Sequence, residues 1–113
     1  MAAIEYTVLK YLNDHLNGVQ AYLEEPMHPE NEYVIIEKTG SSIENHINSA
    51  TFAIQSYSTS MQGAIDLNGT IKGIMAVFRD DNAIFSCKLN SDYNFTDTET
   101  KRYRYQAVFD ITY

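Results

Sequence analysis

The chain has no tryptophan, one cysteine and two prolines, and only 8 Lys and Arg stand against 15 Asp and Glu. A lone Cys87 excludes an internal disulfide and fits a reducing compartment; in an alternating strand it reads as a small core residue rather than a nucleophile. The formal net charge of −7 argues against phosphate-backbone binding as the main task, because that affinity rests on clustered Lys and Arg. The single basic cluster, Lys101, Arg102 and Arg104, reads as an exposed strand face. No apolar run approaches the ~20 residues of a spanning helix, and Met1-Ala-Ala-Ile-Glu5 lacks the layout of a signal peptide, so a protein made and kept in a cytoplasm, with no membrane partner, is expected.

Catalytic and cofactor signatures are missing as well. There is no G-x-S-x-G elbow, phosphate loop, G-x-G-x-x-G, C-x-x-C or H-E-x-x-H. His15, His28 and His46 fall on separate elements, and the adjacent acids Glu24-Glu25 and Asp80-Asp81 read as solvated turn residues. The expectation is no metal, no cofactor and no catalysis. The catalytic alternative is a small apolar cavity holding a carboxylate or histidine of perturbed pKa.

What is present is ordinary globular composition, 44% hydrophobic and 20% charged, in one domain of 113 residues. Nine tyrosines supply apolar bodies with polar tips, suited to surfaces that are both wet and buried against partners. The most regular stretch is Arg102–Tyr113. Tyr103, Tyr105, Ala107, Phe109, Ile111 and Tyr113 fall on one face, with Arg102, Arg104, Gln106, Val108, Asp110 and Thr112 on the other, a strand pattern with the first face as core.

Upstream, Ile4, Val8, Leu9, Leu12 and Leu16 form one helical stripe over residues 3–16, stopped at Asn17-Gly18. Val19–Glu24 alternates as a short strand, and Pro26 and Pro29 set a loop over Glu25–Asn31. Glu32–Lys38 reads as an interior strand, Thr39–Asn45 as a polar turn, and His46 or Ile47 to Tyr57 as its antiparallel partner. Ser58-Thr-Ser60 offers N-caps to a helix whose apolar face runs from Met61 to Phe78, with Gly63, Gly69 and Gly73 opposite, and Asp80–Asn82 closes it. Ile84–Leu89, with Phe85, Cys87 and Leu89 on one face, is a strand continuing irregularly through Tyr93 and Phe95; Thr96–Lys101 turns into the final strand. The expected fold is α+β in the order α-β-β-β-α-β-β, one mostly antiparallel sheet with two helices packed on one face.

The phrases Glu32–Gly40, Ala50–Tyr57, Leu89–Phe95 and Arg102–Tyr113 resemble small tail-completion proteins of long-tailed bacteriophages and prophages of Gram-positive hosts, over nearly the whole chain. The resemblance implies a tail terminator: a ring, commonly a hexamer, at the head-proximal end of the tail tube. It would be assembled in the host cytoplasm and reside in the virion tail, with the chain itself, the tube protein and the head–tail connector as partners. An acidic balance suits a lumen through which DNA passes without tight binding. A neighbouring head-completion or neck protein and a non-phage adaptor module are the other readings. The resemblance transfers no catalytic residues. Candidate subunit and partner contacts are placed on the loops: Glu25, His28, Glu30, Lys38, Ser41, Asn45, Asp92, Asn94, Thr98 and Lys101.

Overall fold

The computed structural model describes residues 3–78, 84–100 and 102–113. Its elements are α1 (Ile4–His15), β1 (Gln20–Tyr22), β2 (Tyr33–Glu44), β3 (Ile47–Ser58), α2 (Met61–Ala76), β4 (Ser86–Asn94) and β5 (Tyr103–Thr112), the expected order of an α+β protein. The strands form one sheet in the order β1-β2-β3-β5-β4.

α1 buries Ile4, Val8, Tyr11 and Leu12, which recur once per turn, and ends where the Leu16 N–H donates to the Leu12 carbonyl at 2.8 Å. Gly18 then takes φ +79°, a left-handed conformation that glycine adopts without steric cost. α2 starts as its hydroxyl cap predicts, with Ser60 Oγ accepting from the Gly63 N–H at 3.0 Å. A Cβ at Gly63 would lie 2.1 Å from Ser58 Oγ, so this first-turn glycine lets the helix start close against the end of β3. Ala64, Leu67, Ile71 and Met75 face the sheet, and the Tyr11 hydroxyl donates to the Ile74 carbonyl at 2.5 Å, tying the two helices together.

Beneath the helices lie Val34 and Ile36 from β2, Ala50, Phe52 and Ile54 from β3, and Ala107, Phe109 and Ile111 from β5. Phe52 and Phe109 are direct cross-strand partners in the β3–β5 ladder. The core is the interleaved even positions of β2 and β3 with the odd positions of β5, as alternation requires.

Four expectations are corrected. The sheet is mixed rather than mostly antiparallel, since β1 runs parallel to β2 while the other three pairings are antiparallel. β1 spans only three residues, so residues 23–32 can return the chain to the start of β2 without a crossover helix. The expected turn over Thr39–Asn45 is instead strand: β2 runs on to Glu44 and pairs with β3 down to Ile47. Its polar character comes from projecting beyond the core, where both faces are wetted, and a register shift between Lys38 and Gly40 bends it there. The true turn is Asn45-His46, both left-handed at φ 53° and 66°, as a two-residue type I′ hairpin demands.

The third correction concerns β4. Phe85 does not face the core but is 74% exposed, and Leu89 is 45% exposed. β4 is an edge strand that α2 only partly overlies, and Cys87 alone of the three packs against the core. β4 runs on through Asn94, in line with the irregular continuation expected through Tyr93 and Phe95. Finally, Tyr103 and Tyr105 are half-buried rather than core, while Phe109 and Ile111 are buried as expected. The Asp80–Asn82 helix close and Lys101 lie outside the described residues.

Truncating Phe109 to Ala is expected to cost about 3–5 kcal/mol, read as a fall in unfolding free energy in urea. His46→Gly, which relieves a left-handed non-glycine residue and creates an Asn-Gly turn, should stabilise by about 0.5–1 kcal/mol in the same assay.

Candidate functional site: the open face and ends of the sheet

No helix covers the second face of the sheet among the described residues, yet Tyr33, Ile35, Ala53, Gln55, Tyr57 and Gln106 on it are buried. The odd positions of β2 up to Glu37, the odd positions of β3 and the even positions of β5 point there, so each cross-strand row brings residues of distant sequence together. One row aligns Tyr22, Ile35, Gln55, Gln106 and Tyr93; the next aligns Tyr33, Tyr57 and Arg104, with Phe95 bonded to Arg104 through its backbone.

In the second row the Tyr33 and Tyr57 rings stack with centroids 4.6 Å apart and planes 5° from parallel. The Arg104 guanidinium lies 4.5 Å from the Phe95 centroid and 5.6 Å from that of Tyr57; its Nε donates to the Phe95 carbonyl at 2.6 Å and its Nη1 to the Tyr57 hydroxyl at 2.7 Å. Arg102 lies 5.0 Å from the Tyr57 centroid, pairs with the Glu25 carboxylate and donates to the Tyr33 hydroxyl. Tyr33 also donates to Glu25 Oε1 at 2.8 Å. Desolvation first, and neighbouring Tyr57 second, push the Tyr33 phenol above its ordinary range, so it stays protonated as a donor.

The first row continues the chain of donors. Tyr57 donates to Gln55 Oε1 at 3.0 Å, Gln55 Nε2 to Gln106 Oε1 at 2.9 Å, and Gln106 Nε2 to the Tyr93 hydroxyl at 2.6 Å. The relay runs in one sense from Arg104 across β3 and β5 to β4. Each buried amide thereby has a partner, without which its burial would cost about 1–3 kcal/mol.

The sequence-derived contact residues divide by place. Glu25 joins the open face through Arg102 and Tyr33. His28 and Glu30 are exposed on the β1–β2 connection, at the same end of the sheet as Asn94 and Thr98. There Asn94 Oδ1 caps the Thr96 N–H at 3.0 Å, and Met61, Thr96, Thr98 and Tyr103 line a groove of about 350 Å³. Ser41 and Asn45 are exposed at the opposite end, on the hairpin. Lys38 and Asp92 are not loop residues: both turn toward the helices. Lys38 pairs with Glu5 at 3.1 Å; Asp92 pairs with Lys72 at 3.0 Å and accepts from Asn68 Nδ2 at 2.9 Å. Lys101 is outside the described residues.

The residues missed are Tyr33, Gln55, Tyr57, Tyr93 and Gln106. Their signal was a second face of β3 and β5 whose polar members could find one another across the ladder. Chemically the face offers stacked rings, guanidinium groups and amides whose hydrogen bonds are largely spent on one another. Burial pushes the Cys87 thiol up to about 11, so it is not a thiolate at neutral pH. Among the described residues no group of three His, Cys, Asp or Glu could hold a metal ion, and no helix is long and apolar enough to cross a membrane. No family model matches the chain, and no curated protein matches it.

The Lys72 hydrogen bond, with Asn68 assisting, holds the Asp92 carboxyl below its ordinary value. A depressed folded pKa gives stability that is present above the unfolded value of about 3.9 and is lost as pH falls through the folded one. The urea midpoint of Asp92→Asn should therefore lie below that of the parent at about pH 6, with the gap narrowing as pH falls below about 3.9. An unchanged gap would show that Asp92 is not held by its ion pair.

Proposed function

We propose that this chain is a structural tail-completion protein of a long-tailed bacteriophage or prophage. It acts as a terminator that caps the head-proximal end of the tail tube as a ring, a hexamer, and presents the docking surface for the head connector. The observation that carries this reading is the one-sided build of the sheet: helices cover one face, while the other is finished by a self-bonded layer of tyrosine, arginine and glutamine. Such a surface is rigid and amphipathic, offers broad contact and holds no activated nucleophile, which favours a structural role over catalysis.

Two further features support it. The phrases that resemble tail-completion proteins coincide with β2, β3, β4 and β5, the strands that build this face. The net charge of −7 repels phosphate, as a DNA conduit in the virion tail should. The lone thiol is quiet, and the role calls on no metal or cofactor.

Mass action predicts weak association of the free protein and a stable ring only on the tube end. Purified protein mixed with tail tubes of the phage or prophage that encodes it should cap one end of each tube, seen by electron microscopy as a ring of added density. Tubes left uncapped at saturating protein overturn the terminator reading; binding to the isolated connector alone would replace it with the neck reading.

A further inference from the structure

We infer that copies of this chain join edge to edge, β4 of one copy pairing antiparallel with the outer edge of β2 of the next, with Leu89 seated in a cleft beside that edge. The inference borrows from the ring reading only the closure of the chain of contacts; the pairing rests on the sheet itself. β1 covers the outer side of β2 at Tyr33, Val34 and Ile35 alone. From Ile36 to Glu44 no strand pairs with that side among the described residues, and none pairs with the outer side of β4. Unpaired backbone N–H and C=O groups along an edge are a template for another strand, and neither edge carries the proline that would block it.

Polarity permits the match. β2 and β5 are both antiparallel to β3, and β4 is antiparallel to β5, so β4 runs opposite to β2. Copies related by rotation about an axis along the strands therefore present β4 antiparallel to the neighbouring β2 with neither copy turned over. That is a contact between two different surfaces, which repeats and closes.

Height permits it too. Following the ladders across the sheet, Ser86 stands level with Ser42, Leu89 with Lys38 and Ser91 with Glu37. The stretch from Ser86 to Asp92 is thus level with the part of β2 that β1 leaves bare. Each edge strand has one register shift, Lys38/Gly40 in β2 and Leu89/Ser91 in β4, in neighbouring rows, so their added twist falls at the same height.

Where β1 stops, Tyr6, Leu23 and Ile36 line a cleft of about 390 Å³ that also reaches Lys38. Tyr6 is 58% and Leu23 38% exposed. Leu89 shares the helix side with Lys38 and its height, so an adjoining β4 would carry this leucine to the cleft and cover the exposed Tyr6 and Leu23. Charge selects the same partners: exposed Glu37 and Glu44 lie along the β2 edge and exposed Lys88 along β4, so β2 against its own copy would set acid against acid.

The test uses the full chain with Cys87→Ser, Glu37→Cys and Ser91→Cys, oxidised at millimolar concentration. The expected result is a ladder of disulfide-linked species beyond the dimer on a non-reducing gel, lost when only one of the two new cysteines is present. Absence of the ladder, or dimers from either single variant, overturns the pairing. Leu89→Asp, at an exposed position and checked for folding by circular dichroism, should abolish the ladder, and Val77→Ser, at the exposed position just past the end of α2, should leave it. A ladder that survives Leu89→Asp overturns the seat in the cleft. The two readings fail separately: a ladder without capped tubes removes the terminator function, and capped tubes without a ladder remove this pairing.

Discussion

The antiparallel ladder of β3 and β5 is the interaction on which everything else in the molecule rests. These strands come from opposite sides of α2 in the chain and meet over ten consecutive pairs, from Ser49 with Thr112 to Ser58 with Tyr103. On one side the ladder sets Phe52 against Phe109 beneath the helices; on the other it sets Gln55 against Gln106. β2 and β4 then add to the two outer sides of a pair that is already amphipathic in two different ways. Neither helix would be stable without it, since their apolar stripes have little to bury against except this sheet.

How far the sequence revealed this follows from which forces are local. Strict alternation in Arg102–Tyr113 and the leucine and valine stripe of α1 announced themselves, because the period of a strand or helix is written into neighbouring residues. The extension of β2 through Gly40, Ser41 and Ser42 did not, because a two-sided wet hairpin has the composition of a loop, and only its pairing with Ser49, Ala50 and Thr51 makes it strand. Phe85 misled for a related reason: it stands just before β4 at the sheet edge, outside the reach of the helix layer.

The positions of the candidate contact residues in the fold were legible where they depended on turn chemistry and lost where they depended on partners within the chain. Glu25, His28, Glu30, Asn94 and Thr98 do gather at one end of the sheet, because proline and polar turn residues end elements there. Lys38 and Asp92 looked like free surface charges, yet each has a helix-borne partner more than a dozen residues away, Glu5 and Lys72. The aromatic and amide face is longer in range still. Arg104 reaches Tyr57, and Gln55 reaches Gln106, across about half the chain.

The Gln55–Gln106 bond bears on how the chain finds its fold. Sliding β5 along β3 by two residues preserves inside and outside for every side chain, so hydrophobic alternation alone hardly opposes the error. In either slipped arrangement Gln55 would face Val108 or Arg104 in place of Gln106, and the donor sequence from Tyr57 to Tyr93 would break with its amides still out of water. The buried glutamine pair thus acts as a proofreader of strand alignment, penalising the near-miss ladder that greasy packing would tolerate.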